Sequence, residues 1–148
     1  MEVFYIMSNP QRALGTQLKI GSASAATAVA GLTSIGGLSL SADTIDVTTL
    51  DATSGYRTFI AGFKDSGDVP LEGFYLMGGD GGQTNLHTLY ESGDETDFTI
   101  VFPISTGCQW AFKGIVTAYG TAAALADAIS FSCTIKVSGK PILTSTGG

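Results

Sequence analysis

The sequence has few charged residues. Asp, Glu, Lys and Arg make up 14% of its 148 residues, compared with about 25% in an average soluble domain, whereas apolar residues make up 44%. This combination excludes an intrinsically disordered chain, which needs low hydrophobicity together with high net charge. So few charges also do little to keep copies of the chain apart. The composition therefore predicts one domain whose surface is partly buried against partners.

Basic residues are especially scarce. The chain has seven Lys and Arg residues and a formal net charge of −6, and the basic residues are scattered from Arg12 to Lys140 rather than gathered in a stripe. Without such a stripe there is nothing to neutralise phosphates, so the sequence argues against nucleic acid as a bound ligand. An acidic wall that repels nucleic acid stays open as an alternative.

Long hydrophobic runs are also missing. No stretch approaches the roughly 20 apolar residues that span a bilayer. The apolar run at residues 3–7 is too short for an export signal and lacks a basic flank. We therefore expect no membrane association and folding in a cytoplasm, with Cys108 and Cys133 as thiols.

The residues that usually carry chemistry are too few or too far apart. The single histidine, His87, has no cysteine or carboxylate at metal-ligand spacing. The two cysteines form no CxxC pair. The glycine-rich run at residues 78–82 (GGDGG) lacks the Lys-Ser/Thr of a phosphate-binding loop. The sequence predicts no enzyme, no metal site and no cofactor.

Alternation of apolar and polar residues is the main structural signal, and it predicts strands. Strands are expected at residues 44–50, 97–102, 109–118 and 129–137, with weaker candidates at 16–20, 35–41 and 69–76. The alternation assigns one side chain in two to a core. Ile45 and Val47 share one face of the strand at 44–50. The predicted core residues are Phe98, Ile100, Phe102, Trp110, Phe112, Val116, Ile129, Phe131, Cys133, Ile135 and Val137.

Helical signals are modest. Residues 84–92 fit one short helix, with Thr84 as its N-cap and Gly93 as its C-cap. Residues 121–128 fit a single helical turn, and residues 22–30 are ambiguous between strand and loop. Many short strands with one helix predict a mainly β (α+β) fold, a β-sandwich or barrel-like domain with one short flanking helix.

Two segments fit neither a strand nor a helix. Residues 51–68 form a long connection that is unusually apolar, and residues 1–15 form an apolar arm interrupted by proline; both favour contacts with a partner. For the connection, the alternative is that its apolar groups fold back onto the protein's own sheet. The candidate contact residues are Tyr56, Arg57, Phe59, Ile60, Phe63, Lys64 and Asp65 in the connection, and Phe4, Tyr5 and Ile6 in the arm.

Several segments resemble one protein family. Residues 31–38 (GLTSIGGL) and 42–50 (ADTIDVTTL), followed by the region around 56–73 and the C-terminal strand at 128–141, are similar to the major tail tube proteins of long-tailed bacteriophages. The likeness spans residues 16–142, which defines a tube domain between an arm (1–15) and a short tail (143–148).

The resemblance implies a function. Such a protein is a structural subunit that assembles with itself into stacked, six-membered rings, and these form a hollow conduit for genome delivery. The implied partners are the tape-measure, tail terminator and distal tail proteins, with genomic DNA passing through without specific binding. The implied location is the virion tail, assembled in the host cytoplasm. A tube subunit of a contractile or type VI-like system is an alternative, as is a β-sandwich adhesin or carbohydrate-binding module.

A conduit for DNA needs a lining to which phosphates do not adhere, such as acidic and hydroxyl side chains. The polar faces of the predicted strands offer that chemistry. The lumen-facing candidates are Asp46, Thr48, Asp97, Thr99, Ser130, Ser132 and Thr134.

The strand pattern also bears on the two thiols. Antiparallel pairing of 109–118 with 129–138 would place Ala118 near Ile129 and Cys133 near Gly114. Cys108 would then lie about 20 Å from Cys133, at ~3.3 Å per residue, whereas a disulfide needs Cα atoms within about 7 Å. Both thiols are expected to be free.

Overall fold

A computed structural model describes residues 13–21, 26–76, 81–103 and 108–144. Within these ranges the chain forms nine strands and one helix. The elements are β1 (Gln17–Ile20), β2 (Thr27–Ala28), β3 (Leu32–Ile35), β4 (Ser41–Asp46), β5 (Phe59–Asp65), β6 (Asp68–Phe74), α1 (Gly81–Ser92), β7 (Thr96–Val101), β8 (Gln109–Ala122) and β9 (Ser130–Thr144). The mainly β fold with one helix is as predicted.

Seven strands form one antiparallel sheet in the order β2-β1-β7-β8-β9-β6-β3. Its two edge strands, β2 and β3, are consecutive in the chain, so three residues connect one edge of the sheet to the other. Val29 N donates to Leu18 O of β1 at 2.9 Å, and Phe74 N of β6 donates to Gly31 O at 2.8 Å. The connection therefore curls the sheet into a half-barrel, the barrel-like form of the predicted fold, which we call the barrel below.

The barrel interior is lined by the apolar half of the alternating pattern. β9 contributes Phe131, Cys133, Ile135 and Val137, all buried. The buried residues from the other elements are Leu18, Ile20, Val29, Val69, Leu71, Leu86, Phe98, Ile100, Phe112 and Val116. Phe102 and Trp110 pack against this cluster while partly exposed. The core predictions for β7, β8 and β9 are confirmed, except that Ile129 lies at the rim and is 36% exposed.

Helix α1 covers the barrel where the two sheet edges meet. Gln83 is buried, and its side-chain amide donates to Ala30 O (3.0 Å) and Phe74 O (2.9 Å) while accepting from Leu76 N (3.0 Å). These bonds satisfy backbone groups that the sheet leaves unpaired at its junction. His87 packs its ring against Tyr119 on the inner face of β8, with centroids 5.1 Å apart.

The ends of the helix differ in how well they were predicted. Gly93 has φ +72°, and its N–H bonds to Leu89 O at 2.9 Å, so it is the predicted C-cap. The N-terminal prediction was wrong, because the helix begins at Gly81 and Thr84 lies within its first turn. No helix among the described residues is long and apolar enough to cross a membrane.

The segment 51–68 is not the long loop that the sequence indicated. Its residues 59–65 form β5, which pairs with β4 in a separate two-stranded sheet, and only residues 47–58 connect them. Ile45 and Val47, which share one face of the predicted strand, are both exposed. Alternation gave β4 two faces, but no other part of the described chain covers either of them.

The pairing of β8 with β9 is shifted from the predicted register. Ala118 lies opposite Thr134, and Cys133 lies opposite Tyr119 rather than near Gly114, because the pairing shifts between Ala111 and Lys113 and again between Val116 and Ala118. Residues 121–122 also continue β8 instead of forming a helical turn, and a bond from Asp127 N to Ala124 O (3.1 Å) closes the turn that follows. Both cysteines are free thiols.

Candidate assembly surfaces

The most apolar exposed region is the projecting hairpin, which we define as residues 40–65. Its side chains contribute eight exposed large hydrophobic residues. They are Leu40, Ile45, Val47, Leu50, Tyr56, Phe59, Ile60 and Phe63. Phe63 is 90% exposed. A two-stranded hairpin is at best marginally stable in water without something to pack against, and a patch of this size on a small protein marks an interaction surface.

Local hydrogen bonds hold the start of the 47–58 connection. The Asp46 carboxylate accepts from the Thr48 backbone N–H (2.9 Å) and from the Thr48 hydroxyl, and the Thr48 hydroxyl accepts from Thr58 N at 2.8 Å. The hydroxyl bond, and then the backbone bond, lower the pKa of Asp46 below its usual range. Arg57 lies 3.6 Å from the same carboxylate. The connection between β4 and β5 is therefore a shaped structure, and Asp46 is its organising residue.

The base of the projecting hairpin is tied to β9. Lys136 Nζ lies 3.0 and 3.2 Å from the two carboxylate oxygens of Asp65 and 3.8 Å from Asp68. The Ser66 hydroxyl donates to Gly139 O at 3.2 Å. A bond from Gly67 N, and then Lys136, lower the pKa of Asp65. Exposed ion pairs add little stability, so their main effect here is to fix the direction in which the hairpin leaves the barrel.

A groove of about 680 Å³ runs between this base and the C-terminal half of β9. Its walls are residues 40–42 and 64–66 of the hairpin on one side, and Val137 and residues 139–141 on the other. The hairpin therefore runs beside β9. It extends past the end of the barrel sheet, in the direction in which the β3–β6 pair runs.

Five of the predicted lumen residues share one surface, the outer face of the barrel sheet. Each alternates in its strand with buried core residues: Asp97 and Thr99 in β7, and Ser130, Ser132 and Thr134 in β9. β8 lies between these two strands. Asp46 and Thr48 do not join them, because they belong to the projecting hairpin. We call the five residues and their outward neighbours the polar face.

The polar face is rich in hydroxyls but is not strongly acidic. Lysines and acids alternate across it: Lys113 lies opposite Asp97, and Lys136 lies opposite Asp68. Lys19 of β1 is opposite Thr99, and Glu72 of β6 is opposite Ser132. Since Lys136 is held by two carboxylates, it is not a free cation, and the face offers no cluster of positive charge to a polyanion.

Further exposed apolar side chains lie at and near the β8–β9 turn. Leu125 is fully exposed at the tip, and Phe74, Leu76 and Ile129 lie exposed below it. Sequence reasoning missed this surface because residues 121–128 are mostly alanine, which carries no strong pattern. We call these four residues the apolar turn surface.

The described residues contain no group of three or more His, Cys, Asp or Glu side chains placed to hold a metal ion. The arm candidates Phe4, Tyr5 and Ile6 lie outside the described residues. What the molecule offers is therefore a set of surfaces: one apolar and projecting, one polar and nearly neutral, and one apolar at the opposite end.

The fold of this chain is similar to those of solved tail tube structures. Similar solved structures include a chain of a native gene transfer agent virion (TM-score 0.75, 18% identity, 92% of this chain and 100% of that chain). The SPP1 tail tube is also similar (TM-score 0.70, 13% identity, 92% of this chain and 80% of that chain). So is a chain of the sheath–tube complex of an extracellular contractile injection system (TM-score 0.71, 17% identity, 93% of each chain).

The chain belongs to the lambda phage tail tube protein family, whose model matches residues 20–144. It is therefore a structural component of a phage-type virion tail. No curated protein matches the sequence with significance. The resemblance found in the sequence is confirmed.

Proposed function

We propose that this protein is the repeating subunit of a tail tube, in which copies form six-membered rings that stack into a hollow conduit for a genome. The observation that carries the proposal is the projecting hairpin, whose eight large apolar side chains are exposed in the described part of the chain. The sixfold symmetry is supported by one similar structure, described as the tail of an empty gene transfer agent particle with C6 symmetry.

The hairpin makes the contact between successive rings in this proposal. Aromatic and Arg side chains dominate the energy of protein interfaces, and charges at the rim set register. The hairpin combines Tyr56, Phe59 and Phe63 with Arg57 and Lys64 on one protrusion. The exposure of these apolar groups supports the ring contact over the alternative, in which they pack on the protein's own sheet.

The polar face lines the channel in this proposal. Its hydroxyl groups are uncharged. Lys113 and Lys136 lie opposite carboxylates across the sheet, whereas Lys19 lies opposite Thr99. Released counterions drive most DNA binding by basic proteins, so a lining with so few cations lets DNA slide without adhering. α1 packs against the inner side of the sheet and would face the outside of the tube.

The two ends of such a tube need different partners. When rings stack through contacts between two different surfaces, each end of the stack keeps one surface that contacts no other ring. We assign those ends to a tail terminator and a distal tail protein, and the channel to a tape-measure protein before ejection. Because the matching family is that of the lambda tail tube, we favour a tube without a contractile sheath over the tube of a contractile system.

Substitution of the exposed hairpin aromatics tests the ring contact. The Phe59→Ser/Phe63→Ser variant should keep its thermal stability, since both side chains are at least half exposed, but should stop at single rings or monomers in negative-stain images. Tyr90→Ser removes an exposed aromatic of α1 and should leave tubes intact. Phe131→Ala, in the core, should lose about 3–5 kcal/mol of unfolding free energy.

Full-length tubes from the double variant would contradict the hairpin contact. A wild-type protein that stays monomeric in light scattering, under crowding and at high salt, would contradict the tube function itself and favour a monomeric binding module.

A further inference from the structure

We propose that the apolar run of the N-terminal arm, residues 3–7, lies in a groove of its own chain and fills a gap in the barrel wall. The occupant is a segment of this chain that lies outside the described residues, and the receiving surface is the free edge of β3. The inference does not depend on the tube function, because it concerns a single copy of the chain.

The gap opens where the chain changes partners between β2 and β3. Residues 27–29 bond to β1, and residues 32–36 then bond to β6. Beyond this change of partner, β3 and residues 13–16 both line a groove of about 820 Å³. Among the described residues β3 pairs with β6 alone. Its other edge therefore has backbone groups that a further strand could bond.

The groove is apolar and uncharged. Its floor is formed by Leu32, Ile35 and Phe102, which are half-buried and pack on the core. None of the remaining lining residues carries a charge. They are Ala13, Leu14, Gly15, Thr16, Thr33, Ser34 and Pro103. A groove of this size is within the range of about 300–1,000 Å³ that buries a ligand. Covering it would remove apolar groups beside the core from water.

The arm begins at the wall of this groove. Ala13 is the first described residue and lines the groove. A turn follows it, in which Thr16 N donates to Ala13 O at 3.0 Å and the Thr16 hydroxyl donates to the same oxygen at 2.7 Å. Gly15 has φ +99° in this turn, and a Cβ added there would lie 2.9 Å from Pro103 Cβ. The turn is therefore packed against the groove and fixes the point from which residues 1–12 extend.

The length of the arm keeps its apolar run near the groove. Met7 is six residues from Ala13, so their Cα atoms are at most about 22 Å apart, at up to ~3.6 Å per residue. A short tether of this kind gives an effective concentration in the millimolar range. In dilute solution the groove of the same chain is therefore filled in preference to the groove of another copy.

The apolar run also fits the groove better than other segments do. Residues 3–7 (VFYIM) are apolar at every position and uncharged, which is typical of a strand covered on both faces. The other segments outside the described residues, 22–25, 77–80, 104–107 and 145–148, carry at most one large apolar side chain each. The projecting hairpin of another copy is apolar too, but it would bring basic side chains that an uncharged groove leaves unpaired.

Labelling of a floor residue measures whether the arm covers the groove. In a Cys108→Ser background, Ile35→Cys supplies the thiol, and the remaining Cys133 is buried and unreactive. We compare the wild-type arm with Phe4→Ser/Tyr5→Ser/Ile6→Ser in dilute monomers whose fold is checked by circular dichroism. A maleimide should label the arm variant at least about tenfold faster, because a thiol under a docked arm reacts only when the arm opens.

Two controls accompany this comparison. Ser8→Ala/Gln11→Ala changes the arm outside its apolar run and should keep the slow rate. Thr117→Cys, exposed on the central strand β8, should label at the same rate with either arm.

The labelling rates decide between occupants. Protection that is unchanged over about a hundredfold dilution is expected for an arm of the same chain, whereas binding between copies follows mass action. Equal rates at Ile35→Cys with the two arms would overturn the inference. Protection that disappears on dilution would assign the groove to the arm of another copy and would overturn it as well.

A cross-link within one chain decides the question if the arm variant does not fold. With the apolar run intact, Ser8→Cys and Ser34→Cys should be joined by a short bis-maleimide in monomers. Gln17→Cys is the matched partner, since it is exposed, close to Ala13 in sequence and outside the groove lining. A docked arm should link to Ser34→Cys in preference to Gln17→Cys. Equal yields from the two pairs are the result expected of an undocked arm and would refute the proposal.

Discussion

Cys108 and Cys133 show how far the environment of a residue sets its reactivity. Cys133 is 2% exposed inside the barrel, and burial raises its pKa to about 12 from an ordinary 9.0. Cys108 is only half-buried, just before β8. Cys133 lies opposite Tyr119, eleven positions along from Cys108 and about 36 Å away at ~3.3 Å per residue. A disulfide between the two is excluded by this distance.

We expect native, unreduced protein to show one thiol that reacts quickly at pH 8 and a second that reacts only after unfolding. The thiolate is the reacting species, and Cys133 is held in its neutral form by burial. Titration with a chromogenic disulfide reagent, before and after denaturant, measures both. Cys108→Ser should remove the fast phase alone. Finding no free thiol in the unfolded, unreduced protein would contradict the structure.

The raised pKa of Cys133 also makes the stability of the fold depend on pH. Because the folded pKa of Cys133 lies above the unfolded value, its contribution is complete below about pH 9 and is lost as the pH rises towards about 12. The carboxylates Asp46 and Asp65 have lowered pKa values, so their contributions are present above the ordinary carboxyl pKa and are lost in acid.

At the scale of elements, the position of α1 is set by close contact between its backbone and the backbone at residues 28–29. A Cβ added at Gly82 would lie 2.7 Å from both Ala28 O and Val29 Cα, whereas one added at the adjacent Gly81 would meet nothing within 4 Å. The helix start therefore contacts the β2–β3 connection that closes the barrel. Gln83 bonds to the same connection through Ala30 O.

This contrast gives a matched pair of variants. Gly82→Ala should lower the unfolding free energy by about 1–3 kcal/mol, because the helix must move away from the barrel seam. Gly81→Ala should be neutral or stabilising by up to ~1 kcal/mol, because alanine favours helix and nothing is displaced. Urea denaturation followed by circular dichroism measures both. Equal effects in the two variants would mean that contact with Ala28 and Val29 does not restrict the side chain at position 82.

At the scale of the whole molecule, two opposite sides of one sheet have different roles in the proposed tube. The inner side carries the apolar core and α1, and the outer side carries Ser132 and its polar neighbours. The net charge of −6 further discourages nonspecific binding of nucleic acid.

Cysteine labelling of assembled tubes tests which side faces the channel. In the Cys108→Ser background, Ser132→Cys should react with a small maleimide but not with a maleimide–gold particle wider than the channel. Asn85→Cys, on the exposed side of α1, should react with both. Dissociated subunits of either variant should accept both reagents. Gold labelling of Ser132→Cys along intact tubes would place the polar face outside and overturn the lining.

The sequence by itself determined the four strongest strands in whole or in part, most of the core and the family. It did not determine β5, in the segment predicted as a connection, and the predicted strand at 35–41 is not a strand over residues 36–40. In residues 129–137 the alternation correctly assigned Phe131, Cys133 and Ile135 to the interior, because a period of two is a local property of an extended chain. The resemblance over residues 16–142 closely matches the region that the family model covers, 20–144.

Only the tertiary structure decided the pairing register and which faces are covered. The predicted pairing of Ala118 with Ile129 was wrong because two irregularities in β8 and a longer turn shift the partners, and these depend on contacts between strands. Ile45 and Val47 alternate as core residues do, yet they are exposed, because β4 and β5 extend beyond the barrel. Alternation says that a strand has an apolar face; what covers that face is decided by packing between elements distant in the sequence, or by another copy of the chain.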